Sequence, residues 1–146
     1  MRRLVAVAML LALALVLAAP AAPSASGRPK VKFSGWELYR NGKVTHVKPG
    51  GTYVHCPGTH PRRIVVRGHL SNPSTAKQAV DVHFQVAHHV IFRYHGLTGR
   101  EGRLAGKIHG GGGPLPDGDW QAFAIRGGVQ VGHTRLTVLG RPSACG

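Results

Sequence analysis

Acidic side chains are scarce in this 146-residue sequence, which has five of them against 19 lysines and arginines. A hydrolase of the two-carboxylate type needs two acids across a cleft, and a calcium site needs about six to eight oxygen ligands. The only acids close together in the sequence are Asp117 and Asp119, in a Pro-Asp-Gly-Asp segment typical of a turn. The scarcity of acids therefore disfavours both kinds of site.

Motifs for catalysis are also missing. His109-Gly110-Gly111-Gly112 matches the oxyanion loop of one group of esterases, but no G-x-S-x-G nucleophile turn follows it. There is no C-x-x-C pair for redox chemistry and no H-E-x-x-H pair for a metalloprotease. We therefore predict that the protein is not an enzyme. A hydrolase with an unrecognised site stays open as an alternative, because a missing motif does not exclude an activity.

The sequence has only one long apolar run, which lies at the start of the chain. Arg2 and Arg3 precede an uninterrupted apolar stretch of 16 residues, Leu4 to Ala19, which Pro20 ends. This pattern is typical of a cleaved export signal, since a spanning helix needs about 20 apolar residues. We predict a signal peptide over residues 1–26, a single domain over residues 27–146, no membrane span in the mature chain, and secretion to the extracellular space.

The sequence has only two cysteines, Cys56 and Cys145. An even pair in an exported chain is most simply a disulfide. The sequence therefore predicts one bond that ties the end of the chain to an early strand.

No stretch of the mature chain has a helical period, and short apolar runs alternate with turn signals. Residues 80–86 place Val80, Val82, Phe84 and Val86 on one face of a strand, and residues 64–70 show the same period of two. Asn41-Gly42 and Gly127-Gly128 predict two tight hairpins. The pattern predicts an all-β fold, a small antiparallel β-sandwich of about seven to nine strands, with Trp36 and Trp120 buried.

Two segments carry a resemblance to a known kind of domain. "GGTYVHC" at residues 50–56 and "LPDGDWQAFAIRGG" at residues 115–128 resemble strand and turn phrases of bacterial immunoglobulin-like extracellular domains. The resemblance covers about a third of the mature chain. It implies an immunoglobulin-like sandwich and, by itself, no activity.

The positive charge is the most unusual property of the chain. Without Arg2 and Arg3 the formal charge falls from +14 to +12, with 17 lysines and arginines against five acids. Such an excess predicts association with anionic cell-wall or extracellular polymers, and we take Arg63, Arg67 and Arg93 as candidate contacts. The basic residues form no block of five or six, so specific nucleic-acid binding is not expected and a solvated basic surface is the alternative.

Histidine is abundant, with ten residues, all in the mature region. On a strand Asp81 and His83 share a face, and His69 would lie beside them if its strand paired with theirs. Imidazoles with a carboxylate suit zinc or copper, so Asp81, His83 and His69 are a candidate metal site, and binding or sequestration of zinc or copper is an alternative function. The alternative is that the histidines are polar surface groups, which protonate below about pH 6 and strengthen binding to anions.

Overall fold

The computed structural model describes residues 29–71 and 77–146. The predicted export signal lies outside the described residues. In the described part the alternating apolar sequence forms nine strands. They are β1 (Val31–Arg40), β2 (Lys43–Val47), β3 (Thr52–His55), β4 (Arg63–Leu70), β5 (Ala79–Val86), β6 (His89–Leu97), β7 (Arg103–His109), β8 (Gly118–Arg126) and β9 (Val129–Gly140).

The strands form two sheets. One sheet has the order β2-β1-β4-β7 and the other has the order β3-β9-β8-β5-β6. Consecutive strands change sheet after β2, β3, β4, β6 and β7. The predicted all-β sandwich is confirmed. One pair departs from the antiparallel expectation, because the short edge strand β3 runs parallel to β9.

Tight turns connect the hairpins. Asn41-Gly42 and Gly127-Gly128 both have positive φ at their two residues, as predicted for turns that match the twist of the strands. A third turn of the same kind, Ala87-His88, joins β5 to β6 with φ values of 48° and 67°. Neither Ala87 nor His88 is a glycine, so both adopt a backbone conformation that residues with a side chain rarely take.

The core lies between the two sheets and contains both tryptophans, as predicted. Trp36 from β1 meets Phe84 from β5 edge to face, with ring centroids 6.3 Å apart. The indole N–H of Trp36 donates to the Arg135 carbonyl and that of Trp120 donates to the Pro116 carbonyl, each at 3.0 Å. The buried tryptophans therefore leave no indole donor unpaired.

The predicted disulfide joins Cys56 to Cys145, with 4.6 Å between the two Cα atoms. Cys56 follows β3 directly, and Cys145 ends a short 3-10 turn, Pro142–Cys145, that comes after β9. Because β3 and β9 are neighbours in one sheet, the bond ties the edge of that sheet. It does not cross between sheets as the disulfide of antibody domains does.

Within residues 29–71 and 77–146, no helix is long and apolar enough to cross a membrane.

Candidate functional site

The outward side of the four-stranded sheet carries an excess of positive charge. Alternate residues of β1, β4 and β7 point away from the core, and strand register brings them into rows. We call this surface the basic face. Its cationic residues are Lys32, Arg63, Arg67, Arg103 and Lys107, and His46, His69 and His109 lie among them.

One row of the basic face places three basic groups side by side. Lys32 of β1 and Arg103 of β7 flank His69 of β4 as direct register partners. Residues opposite one another in an antiparallel pair have Cβ atoms about 4.5–5.5 Å apart, so Lys32 and Arg103 each lie close to the His69 imidazole. Arg103 also contacts Glu101, at 3.0 Å, in a pair that is largely exposed to solvent and therefore weak.

Glu37 is the one acid that β1, β4 and β7 contribute to the basic face, and its charge is already compensated. Arg67 donates from Nε and Nη2 to the two carboxylate oxygens, and the Tyr39 hydroxyl donates to the same carboxylate at 2.8 Å. The hydrogen bond from Arg67 holds the pKa of Glu37 below its ordinary value of 4.5, against partial burial that would raise it. Arg63 stacks on the Tyr39 ring, 3.5 Å from its centroid. Arg63, Tyr39, Glu37 and Arg67 thus form one packed cluster that leaves the face positive.

The outward side of the five-stranded sheet is balanced in charge. Its strands present Arg93 and Arg135 with Asp81 and Asp119. Asp81 contacts His95 at 3.0 Å, and Asp119 accepts a hydrogen bond from Thr137. Of the three predicted anion contacts, Arg63 and Arg67 therefore share the basic face, and Arg93 lies on the opposite side of the sandwich.

The predicted metal group is not brought together. Asp81 and His83 do share a face of β5, which belongs to the five-stranded sheet. His69 lies on the outward side of β4, which belongs to the other sheet. The two strands do not pair, so the thickness of the core separates His69 from Asp81 and His83. This corrects the grouping that the sequence suggested.

A different set of ligand atoms converges at the end of the sandwich near the disulfide. His55 ends β3, His60 lies in the following loop, and Asp117 precedes β8. His55 Nε2 lies 2.6 Å and His60 Nδ1 lies 3.2 Å from Asp117 Oδ1. The two imidazole rings are 4.7 Å apart between centroids. We call these three residues the His-Asp cluster.

The groups of the His-Asp cluster differ in exposure. The His55 side chain is fully buried, that of His60 is 24% exposed, and that of Asp117 is 38% exposed. Partial burial raises the pKa of Asp117, but the contacts with His55 and the Gly140 amide outweigh it and hold the pKa below its ordinary value of 3.8. The carboxylate is therefore ionised at neutral pH and lies on the solvent side of the cluster.

Sequence reasoning missed the His-Asp cluster, because its members come from three segments and 62 residues separate His55 from Asp117. Their meeting depends on the parallel pairing of β3 with β9 and on the β8–β9 hairpin. One local signal was present in the sequence. His55 and His60 flank a Cys-Pro-Gly-Thr turn that brings two imidazoles close together.

The remaining histidines are spread over the molecule. His83, His95 and His133 lie on the five-stranded side, His88 lies in a turn, and His89 begins β6. Burial, assisted by the charge of Arg135, lowers the pKa of His133, whose ring stacks on Phe123. The histidines therefore do not share one face, in contrast to the outward lysines and arginines of β1, β4 and β7.

Comparison of the chain with protein-family models and with curated proteins finds no match.

The packed cluster around Glu37 gives a stability prediction. Glu37→Gln should lower the free energy of unfolding at pH 7 by about 1–3 kcal/mol, because Arg67 loses a charge-assisted partner. A carboxyl whose pKa is depressed in the folded state stabilises above its ordinary pKa, and the contribution is lost as the pH falls through the folded value. The difference between the wild type and the variant should therefore shrink from pH 7 to pH 3, measured by urea unfolding.

The control for this prediction is Glu101→Gln. Glu101 also pairs with an arginine, Arg103, but both side chains are more than 70% exposed. Exposed pairs of this kind contribute about 0–1 kcal/mol. An equal loss of stability in the two variants would contradict the account of Glu37.

Proposed function

We propose that this protein is a secreted, non-enzymatic β-sandwich that binds anionic polymers of the cell envelope or the extracellular space through its basic face. The observation that carries the proposal is the unequal charge of the two sides. The basic face has five lysines and arginines and one compensated acid, whereas the five-stranded side has two cations and two acids.

The arrangement of charge on the basic face favours a polymer over a small ligand. The face is the outside of a sheet, and its charges lie in rows across β1, β4 and β7. In the Lys32–His69–Arg103 row two cations flank an imidazole, so an anion that lies along the row is attracted by both neighbouring strands at once. A chain with repeated negative charges can follow several rows at once, and such binding weakens steeply as salt rises.

The disulfide supports an exported protein. Cysteine pairs persist in oxidising compartments and are rare in the reducing cytosol. The apolar start of the sequence, with its two arginines, supports the same destination. Outside the cytosol, the anionic partners available to a basic protein are polymers of the envelope and the matrix.

Two double variants with the same change in net charge test the proposal. Lys32→Gln with Lys107→Gln removes two exposed cations from the basic face, and Arg93→Gln with Arg135→Gln removes two from the other side. Heparin serves as the model polyanion. The basic-face variant should bind immobilised heparin at least about tenfold more weakly at 0.15 M salt, since each cation near an anionic surface contributes about 1 kcal/mol.

Salt dependence provides the second readout. The slope of log K against log salt should fall by about two for the basic-face variant, one for each lost contact. The Arg93 and Arg135 variant should stay close to the wild type in affinity and slope. Equal losses in the two variants would show that net charge alone governs binding and would contradict a dedicated face.

A further inference from the structure

We propose that His55, His60 and Asp117 form a binding site for a single zinc-type divalent ion. The site lies outside the basic face and does not depend on the proposed function. Two imidazole nitrogens and a carboxylate oxygen form a donor set that suits zinc. Their three ligand atoms lie within 4.8 Å of one another.

The hydrogen bonding of His55 points its free nitrogen toward this position. His55 Nδ1 lies 2.8 Å from the Cys56 carbonyl oxygen, which can only accept, so Nδ1 carries the proton. Nε2 then faces Asp117 Oδ1 at 2.6 Å inside a fully buried side chain. In this tautomer Nε2 and Asp117 Oδ1 are both acceptors, so their close approach requires a proton or a cation between them. With a cation between the two atoms, the lone pair of Nε2 and the carboxylate are both satisfied.

His60 provides an independent indication. Its Nδ1 is buried and, in the described part of the chain, makes no hydrogen bond of acceptable geometry, although it lies 3.2 Å from Asp117 Oδ1. A buried nitrogen without a partner costs free energy. An ion held by the same carboxylate oxygen would provide the missing partner.

Hydrogen bonds from residues outside the cluster orient its ligands, as is common in metal sites. A metal-binding histidine commonly donates its other ring N–H to a backbone carbonyl, as His55 does to Cys56, and ligating carboxylates are themselves hydrogen-bonded. Asp117 Oδ2 accepts a hydrogen bond from the Gly140 amide at 3.0 Å, which leaves Oδ1 directed at the two histidines. The Tyr53 ring stacks on the His55 ring, with centroids 5.8 Å apart.

Two of the separations between ligand atoms can be compared with those of a zinc site. Ligands about 2.0–2.1 Å from a tetrahedral zinc ion lie about 3.3 Å from one another. The separation of His60 Nδ1 from Asp117 Oδ1, 3.2 Å, already fits, and that of His55 Nε2 from Asp117 Oδ1, 2.6 Å, must lengthen. Asp117 is partly exposed in a loop, so it can make this movement. Three protein ligands leave a fourth position for water on the exposed side.

The test uses the oxidised protein, stripped with EDTA and titrated with zinc by calorimetry, with elemental analysis after desalting. His60→Asn removes a partly exposed ligand, and His95→Asn is the matched control, because His95 also contacts an aspartate, Asp81, at 3.0 Å but has no third ligand beside it among the described residues. The wild type and His95→Asn should bind one zinc ion per chain, and His60→Asn should bind it at least tenfold more weakly. Cobalt(II) should give visible bands of tetrahedral intensity in the first two proteins and lose them in the third.

Thermal unfolding in EDTA shows whether His60→Asn is folded, and His60→Gln is measured in the same way. Zinc should raise the unfolding midpoint of the wild type and of His95→Asn, and should raise it less in both His60 variants. No stoichiometric uptake by the wild type would leave only an ion pair between His55 and Asp117 and overturn the proposal. Equal zinc affinity in the wild type and the His60 variants would overturn it as well.

Discussion

Replacing Cys56 and Cys145 together by alanine should lower the free energy of unfolding by about 4–5 kcal/mol. The bond closes a loop of 89 residues, so its removal returns a large conformational entropy to the unfolded chain. The total stability of a small domain is about 5–15 kcal/mol, so the loss is a large part of it. The unfolding midpoint should fall by roughly 15–20 °C in a domain of this size.

The structure also indicates which part of the fold loses the most stability when the disulfide is removed. The C-terminal turn, Pro142–Cys145, buries none of its residues, so it has little to hold it except the disulfide. The edge strand β3 has only four residues and pairs with a single neighbour, β9. Hydrogen exchange in the double alanine variant should therefore rise first in β3 and in the last strand next to it. The wild type reduced with a thiol is the control and should show the same loss, whereas a loss below about 1 kcal/mol would contradict this account.

Phe84→Ala should lower the free energy of unfolding by about 3–5 kcal/mol. Phe84 is fully buried, and its ring meets Trp36 of the opposite sheet. Truncation removes this contact between the sheets and leaves a cavity that the surrounding strands cannot fill. Urea unfolding of the variant measures the loss.

Phe92 provides a matched control for Phe84. It is the register partner of Phe84 on β6, but it is 41% exposed because β6 is an edge strand. Phe92→Ala should cost about 1 kcal/mol or less. Similar losses for the two phenylalanines would show that the contact between the sheets is not where the core stability resides.

The sequence was sufficient where a local pattern decides the structure. The alternation along β5 identified its buried side, and Asn41-Gly42 and Gly127-Gly128 identified two hairpins by their tolerance of positive φ. The lone cysteine pair identified the disulfide. These features depend on neighbouring residues or on simple counting.

Local sequence patterns do not indicate which distant strands pair with each other. β4 and β5 show the same alternation, so nothing in either strand tells which sheet it joins, and His69 was grouped with Asp81 for that reason. The Ala87-His88 turn has no glycine to mark it. Val65 lies in register with Lys107 and Glu37 on the outward side of β4, yet it is only 2% exposed, which the alternation along its strand does not indicate.

The two candidate sites also differ in how much of them the sequence could predict. The excess of positive charge can be counted in the sequence, but its concentration on the outer side of β1, β4 and β7 requires the strand order. The His-Asp cluster requires in addition that β3 lie beside β9, since His55 and Asp117 come together only through that pairing.

The most direct test of the basic face is an amide chemical-shift titration of the protein with a heparin oligosaccharide. The account predicts that the largest shifts map to residues of β1, β4 and β7 around Lys32, Arg67 and Lys107, and that they disappear as salt is raised. Shifts centred on the five-stranded side around Arg93 and Arg135, or spread evenly over both sheets, would contradict it.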